Sequence, residues 1–259
     1  MRVVVKVGTS TLAYQNGNLN IRRVETLCKV LSDIKNAGNE VIFVSSGAIG
    51  MGIGKLMLKE RGTDIPTHQA AAAVGQCELM YTYDRLFSQY NHTIAQILLT
   101  GSDIHDDVRL NNFKNTMYRL LELQVIPIIN ENDTIVTDEI CIGDNDTLSA
   151  VVASVMEADL LVLLSDINGL YTADPHSDPS ASLIPVVENL DDRIMAFGGR
   201  SGSSLGTGGM ATKLQAAKLA TSVGCDMVIA NGSNPEVLYD ILDGKPLGTR
   251  FLGKKENVS

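Results

Sequence analysis

The sequence predicts an α/β fold with an open, mainly parallel sheet covered by helices on both faces. Three observations predict it: short aliphatic runs without polar alternation, stretches of helical periodicity between them, and glycine or polar turns directly after the runs. Residues 3–7 form the first β-branched run, and Gly8-Thr9-Ser10 turns the chain after it. Asn20 then caps a helix on which Ile21, Val24, Cys28, Leu31 and Ile34 recur at helical spacing, and Gly38 stops it. Residues 41–44 are a buried strand that ends in Ser45-Ser46-Gly47 and leads toward a helix. Thr67 opens an Ala-rich helix that continues past Leu79, residues 94–99 read as a strand, and residues 111–123 as a helix feeding a strand over 125–129. Tyr118, Leu121 and Val125 share its core face.

Around residues 135–142 the alternation changes to period two about an acidic turn, which predicts a short hairpin standing off the main sheet. A helix over 147–156, with Asp146 as a candidate cap, and an apolar strand over 160–164 follow. Asp174-Pro175 and Asp178-Pro179 mark a long loop, and six glycines, Gly198, Gly199, Gly202, Gly206, Gly208 and Gly209, mark a loop that is mobile or hugs a ligand. A helix over 210–223, a strand over 227–230, a helix begun by Pro235 and a final strand near Phe251 complete the pattern. Helical crossovers of this length imply right-handed connections, with ligands at the carboxyl ends of the strands.

Composition narrows the function classes. Among 259 residues, 30 acidic side chains outnumber 21 basic ones, a formal charge of −9 that excludes a generally basic nucleic-acid binder. The chain is long enough for one large domain, the 44% hydrophobic content describes an aliphatic core, and no apolar run approaches the length of a membrane span. With no signal-peptide pattern at the N-terminus, the expected location is the cytoplasm. Cys28, Cys77, Cys141 and Cys225 have no paired spacing for zinc or dithiol chemistry and read as reduced packing residues. His68, His92, His105 and His176 are equally scattered, and His105-Asp106-Asp107 reads as a solvated turn.

Several residues carry two readings on spacing alone. Lys6 is a charge inside an apolar strand, either a solvated edge lysine or an ammonium delivered to a phosphate at the sheet's carboxyl edge. Ser45-Ser46-Gly47 is a structural turn or an anion site of backbone N–H groups. Gly206-Thr207-Gly208-Gly209-Met210-Ala211-Thr212-Lys213 sets a glycine loop before a helix with a basic residue one turn inside, a weak dinucleotide fingerprint and no P-loop. Asp133, Asp144, Asn145 and Asp146 flank the expected hairpin, as caps and turn residues or as a set that binds an ammonium group and orients lysines. The spacing of Asp144 and Asp146 lacks the glycine and glutamate of an EF-hand.

Taken together, Val5-Lys6-Val7-Gly8-Thr9-Ser10, Ser45-Ser46-Gly47-Ala48-Ile49, Ile129-Asn130-Glu131-Asn132-Asp133, Gly143-Asp144-Asn145-Asp146, Gly169-Leu170-Tyr171-Thr172-Ala173-Asp174-Pro175 and Gly206 through Lys213 resemble the amino acid kinase family. The Asn-Glu-Asn-Asp and Gly-Asp-Asn-Asp pair resembles the branch that phosphorylates glutamate. The resemblance implies a three-layer α/β/α sandwich, one catalytic domain over residues 1–259 without the C-terminal PUA domain many such enzymes carry, and transfer of phosphate from ATP to L-glutamate at the start of proline biosynthesis. It implies that Lys6 and Lys213 bind the ATP phosphates while Asp146 orients them, and that Ser46, Asp133 and Asn145 hold glutamate. Ser165 and Asp166, with Thr207, Gly208, Gly209, Met210, Ala211, Thr212 and Lys213, then contact the nucleotide; Ser165 stands where the family pattern usually has Thr. Magnesium is implied to arrive with ATP, with no direct protein ligand named.

The same resemblance implies feedback inhibition by proline, delivery of product to a glutamyl phosphate reductase, and a homodimer or homotetramer. Two rivals stand beside it: a kinase of the same fold acting on uridylate, acetylglutamate or aspartate, and a nucleotide-binding regulator without turnover. The joint presence of Lys6, Asp146 and Lys213 argues against the regulator, because binding alone does not need all three.

Overall fold

The first aliphatic run becomes β1 (Arg2–Val7), which lies in the middle of an eight-stranded sheet, not at an edge. The computed structural model describes residues 1–14, 18–58, 64–135, 144–175, 177–198 and 209–254. After β1 come α1 (Thr9–Leu12), α2 (Ile21–Asn36), β2 (Glu40–Ser45), α3 (Ala48–Lys55), α4 (Ile65–Ser88), β3 (Ile94–Leu99), α5 (Gly101–His105), α6 (Asp107–Glu122) and β4 (Ile126–Glu131). The second half adds α7 (Asn145–Val155), β5 (Leu160–Ser165), β6 (Val186–Val187), α8 (Asp192–Ala196), α9 (Met210–Ser222), β7 (Asp226–Asn231), α10 (Val237–Leu242) and β8 (Thr249–Phe251). The strand order is β3-β4-β2-β1-β5-β7-β8-β6. β8 pairs antiparallel with β7 and parallel with β6, so these two run against the other six.

Period two along the strands divides the core into two layers. Val3, Val5 and Val7 of β1 join Val41, Phe43, Leu160 and Val162 against α2, α4 and α10. Val4 joins Ile42, Val44, Leu161 and Leu163 on the opposite face against α6, α7 and α9. Helices thus cover both faces, the expected three-layer sandwich, and each buried valine contributes roughly 1.5–3 kcal/mol. Lys6 follows Val4 on the second face and is therefore aimed toward α7 and α9.

Close backbone contact locks α3 onto α4. A Cβ at Gly52 would stand 1.8 Å from the Ala71 carbonyl oxygen, and one at Gly75 would stand 1.8 Å from that of Ala48. Only glycine permits that approach, so two glycines set how deeply α4 sits over β2 and β4.

Several boundaries differ from expectation for local reasons. α4 begins two residues before Thr67, because the Asp64 side chain accepts from the Thr67 N–H and Pro66 occupies the first turn. α6 begins at Asp107, since Asp106 accepts from the Arg109 N–H; the expected turn at His105-Asp106-Asp107 is a helix-to-helix junction. α7 starts at Asn145 with Asp144, not Asp146, as its cap. Cys28 and Cys225 are buried as packing residues, but Cys77 is exposed on α4 and does not pack into the core. Of the expected hairpin only Ile135 is described, in a turn after β4, and residues 136–142 and Cys141 lie outside the described residues.

Candidate functional site

Six strands share one direction, so Gly8 after β1, Ser46 after β2, Asn132 after β4 and Asp166 after β5 gather along the same sheet edge. The N-terminus of α7 points into this edge. Its first two residues look in different directions, as neighbours on a helix must.

Asp146 faces β1 and α9. Its Oδ1 accepts from Lys6 Nζ at 2.5 Å, and its Oδ2 accepts from Lys213 Nζ at 3.0 Å and Thr212 Oγ1 at 3.2 Å. Lys6 is 8% exposed, Lys213 5% and Asp146 0%, so the solvated edge-lysine reading of Lys6 is excluded. Burial pushes the Asp146 carboxyl upward, but the charges of Lys6 and Lys213 outweigh it and hold the group below the ordinary aspartate range. Two ammonium groups around one carboxylate leave a positive charge removed from water, and an incoming polyanion compensates it.

Asn145 faces the other way, toward β2 and β4. Its Nδ2 lies among three acceptors: Ser45 O at 3.0 Å, Ser46 Oγ at 2.7 Å and Asn130 Oδ1 at 2.9 Å. Asn145 Oδ1, on the opposite side of the amide, is buried without a partner among the described residues. A buried acceptor left open is costly, which marks it as a place for a donor from a ligand. Gly47, at φ +97°, makes the left-handed turn that ends β2 and starts α3, and fully buried Tyr83 braces Ser45 through a 2.7 Å hydroxyl contact.

The remaining expected residues are distributed around these two centres. Asp133 follows β4 in the turn, where burial and then the charge of Glu131 push its carboxyl up to about 6. No direct bond joins it to Ser46 or Asn145 among the described contacts. Asp144 is raised by burial, with the Thr147 N–H working against that shift. Ser165 ends β5 and donates to Asp166 at 3.1 Å, and Asp166 is exposed. Gly209 caps α9, with Met210, Ala211 and Thr212 in its first turn, while Thr207 and Gly208 lie outside the described residues. α9 thereby presents backbone N–H groups and Lys213 toward the same edge, a donor set suited to phosphate. Both Asp146 oxygens are occupied by lysines, so a divalent cation on the phosphates would not find a ready carboxylate cage there.

Sequence reasoning assigned no site role to Asn130, Gln76 or Tyr83, which support the Asn145 side. Asn130 lies within Ile129-Asn130-Glu131-Asn132-Asp133, but Gln76 and Tyr83 sit in an Ala-rich helix where nothing in the pattern separates them from ordinary helical residues.

The family model described as "Amino acid kinase family" matches residues 1–231. The chain is 55% identical over 249 residues to a protein of Clostridium tetani named glutamate 5-kinase, covering 96% of this chain and 93% of the relative. It is 47% identical over 262 residues to the glutamate 5-kinase of Listeria monocytogenes, covering 100% and 95%. In three dimensions it is similar to the UMP kinase of Bacillus anthracis, with a TM-score of 0.66 at 18% identity over 98% of this chain and 96% of that one. That last likeness concerns the fold alone.

Proposed function

The chain belongs to the amino acid kinase family, and from that premise we propose that it transfers the γ-phosphoryl group of ATP to the side-chain carboxylate of L-glutamate, the reaction for which its relatives are named. The observation that carries the reading is the divided N-terminus of α7. Asp146 gathers two buried lysines on one side, while Asn145, Ser46 and their supports form a small polar half-site on the other.

The chemistry suits a site without a catalytic histidine. A glutamate side-chain carboxyl has an unperturbed pKa of about 4.3, so at neutral pH the nucleophile is already ionised and needs no base. Its oxygen bonds to the γ-phosphorus as the bond to the β,γ-bridging oxygen breaks, giving L-glutamyl 5-phosphate and ADP. The obstacle is repulsion between two anions. Lys6 and Lys213, held in place by Asp146, offset it and follow the charge that moves onto the equatorial and leaving oxygens. Mg²⁺ carried by the ATP phosphates supplies further neutralisation.

On the other side Ser46 offers its hydroxyl to a substrate carboxylate, while Asp133 and Asn145 Oδ1 face the α-ammonium. Ser165, Asp166 and the start of α9, with Thr207 and Gly208 before it, hold the nucleotide. The same reading makes L-proline an inhibitor and a reductase the consumer of the acyl phosphate, which hydrolyses readily. It also makes the enzyme a cytoplasmic homodimer or homotetramer. No helix among the described residues is long and apolar enough to cross a membrane.

Incubation with Mg-ATP, hydroxylamine and one acceptor at a time tests the proposal. Hydroxamate and ADP should form together with L-glutamate. ADP release with UMP, or hydroxamate from N-acetylglutamate or aspartate in place of glutamate, would transfer the assignment to another branch of the family. Absence of turnover with every acceptor would leave a nucleotide-binding regulator.

A further inference from the structure

Four side-chain amides form one line from an edge strand to the Asn145 half-site. Gln96 of β3 accepts from Gln76 Nε2 at 3.3 Å, Gln76 Oε1 accepts from Asn130 Nδ2 at 3.0 Å, and Asn130 Oδ1 accepts from Asn145 Nδ2 at 2.9 Å. Every link runs in the same sense, with each amide donating toward the edge and accepting from the site. The line ends at Asn145 Oδ1, the buried acceptor without a partner among the described residues.

We propose that Gln76 is a positioning and specificity-determining residue, which acts through Asn130 to hold the Asn145 carbonyl oxygen toward the α-ammonium of the substrate. The proposal rests on glutamate as substrate. An amide has a donor end and an acceptor end, so what it offers a ligand depends on what binds its far end. Asn130 is 2% exposed, and its Oδ1 is committed to Asn145 and to the Glu131 N–H at 2.9 Å. Its Nδ2 therefore needs an acceptor, and Gln76 Oε1 supplies it. Without that acceptor a buried N–H₂ is left unpaired, so Asn130 turns to find a partner and releases Asn145.

Position supports the role. Gln76 is 8% exposed and follows Gly75, whose contact with Ala48 brings α4 close enough for Gln76 to reach over to β4. Gln96 is exposed and does not itself need a fixed orientation. Gln76 is thus the buried member of the line that stands one amide back from the substrate half-site.

The test compares Gln76→Met, which keeps size and removes the acceptor, with Gln76→Glu, which keeps an acceptor oxygen for Asn130 while Gln96 turns its amide to donate. Thermal unfolding reports folding, and Gln76→Leu replaces the Met variant if that one does not fold. The Met variant should raise the glutamate KM about tenfold, with kcat and the ATP KM within twofold. The Glu variant should stay within about threefold of the parent. Competitive inhibition by glutarate, which lacks the ammonium, should be unchanged in the Met variant. In an Asn145→Ala background, Gln76→Met should add less than twofold.

A Met variant with an unchanged glutamate KM, a Glu variant as impaired as the Met variant, equal losses for glutarate and glutamate, or additive effects with Asn145→Ala would each overturn the inference. If the parent enzyme itself yields no hydroxamate from glutamate, the functional reading fails first. If the parent is active and only the Gln76 pattern is absent, that reading stands and this inference falls.

Discussion

Replacing Asp133 by Asn should stabilise the free protein and weaken glutamate binding at the same time. Burial, aided by Glu131, lifts the Asp133 carboxyl from 3.8 to about 6. A folded-state value above the unfolded one means that the folded protein holds this proton more tightly, so the contribution favours folding below 3.8 and is lost as pH rises toward 6. Above pH 6 the ionised group costs the fold about 3 kcal/mol, an upper bound because the side chain keeps some contact with water. The Asn variant escapes this cost. Its melting temperature at pH 8 should exceed the parent's by up to about 6–12 °C, and the gain should disappear near pH 4.

Activity should move the other way. Loss of a charge-assisted bond to the substrate ammonium raises the glutamate KM about 10- to 100-fold with a small change in ATP KM. In the parent, kcat/KM for glutamate should decline about tenfold per pH unit below pH 6, and the Asn variant should lack that limb. Differential scanning calorimetry at pH 4 and 8, with glutamate saturation curves between pH 5 and 8, reads both effects. An Asn variant that is no more stable at pH 8, or that keeps the parent's glutamate KM, refutes the assignment of Asp133 as a destabilising group retained for the substrate.

Lys213→Met should retain its circular dichroism spectrum and lose on the order of 10²- to 10³-fold in kcat, as other losses of one transition-state electrostatic donor do; near-normal turnover would remove its role. Asp146→Asn leaves Lys6 and Lys213 buried without their shared counter-ion. Urea denaturation should show a loss of about 3–5 kcal/mol, part of it restored by saturating ATP, and an unaltered midpoint would contradict the triad. Gly75→Ala forces a methyl into the Ala48 carbonyl, so thermal melting should report a loss of about 1–3 kcal/mol or more; parent-like melting would mean that α3 and α4 are not locked.

The strands were legible because strands buried on both faces read as unbroken aliphatic runs, as in Val3, Val4 and Val5 or Leu160 through Leu164. Lys6 stood out for the same reason, as a charge within such a run. Its partners were not legible from spacing: Asp146 lies 140 residues away and meets Lys213 across a further 67, distances that only the crossovers close. The cap of α7 was misplaced because Asp144, Asn145 and Asp146 all have capping side chains, and only the closed structure shows which one accepts from a main-chain N–H. Gln76 was invisible because its function depends on an amide on another element, and an uncharged residue in an Ala-rich helix carries no mark of that.

Glutamate labelled with ¹⁸O in its side-chain carboxyl tests the central claim directly. If that carboxylate attacks the γ-phosphorus, its oxygen becomes the bridge of the acyl phosphate. Hydroxylamine then attacks the carbonyl carbon and releases phosphate with the P–O bond intact. Mass spectrometry of the phosphate should find one ¹⁸O for each hydroxamate formed. Unlabelled phosphate, released in step with ADP, would show that water and not the glutamate carboxylate accepts the phosphoryl group.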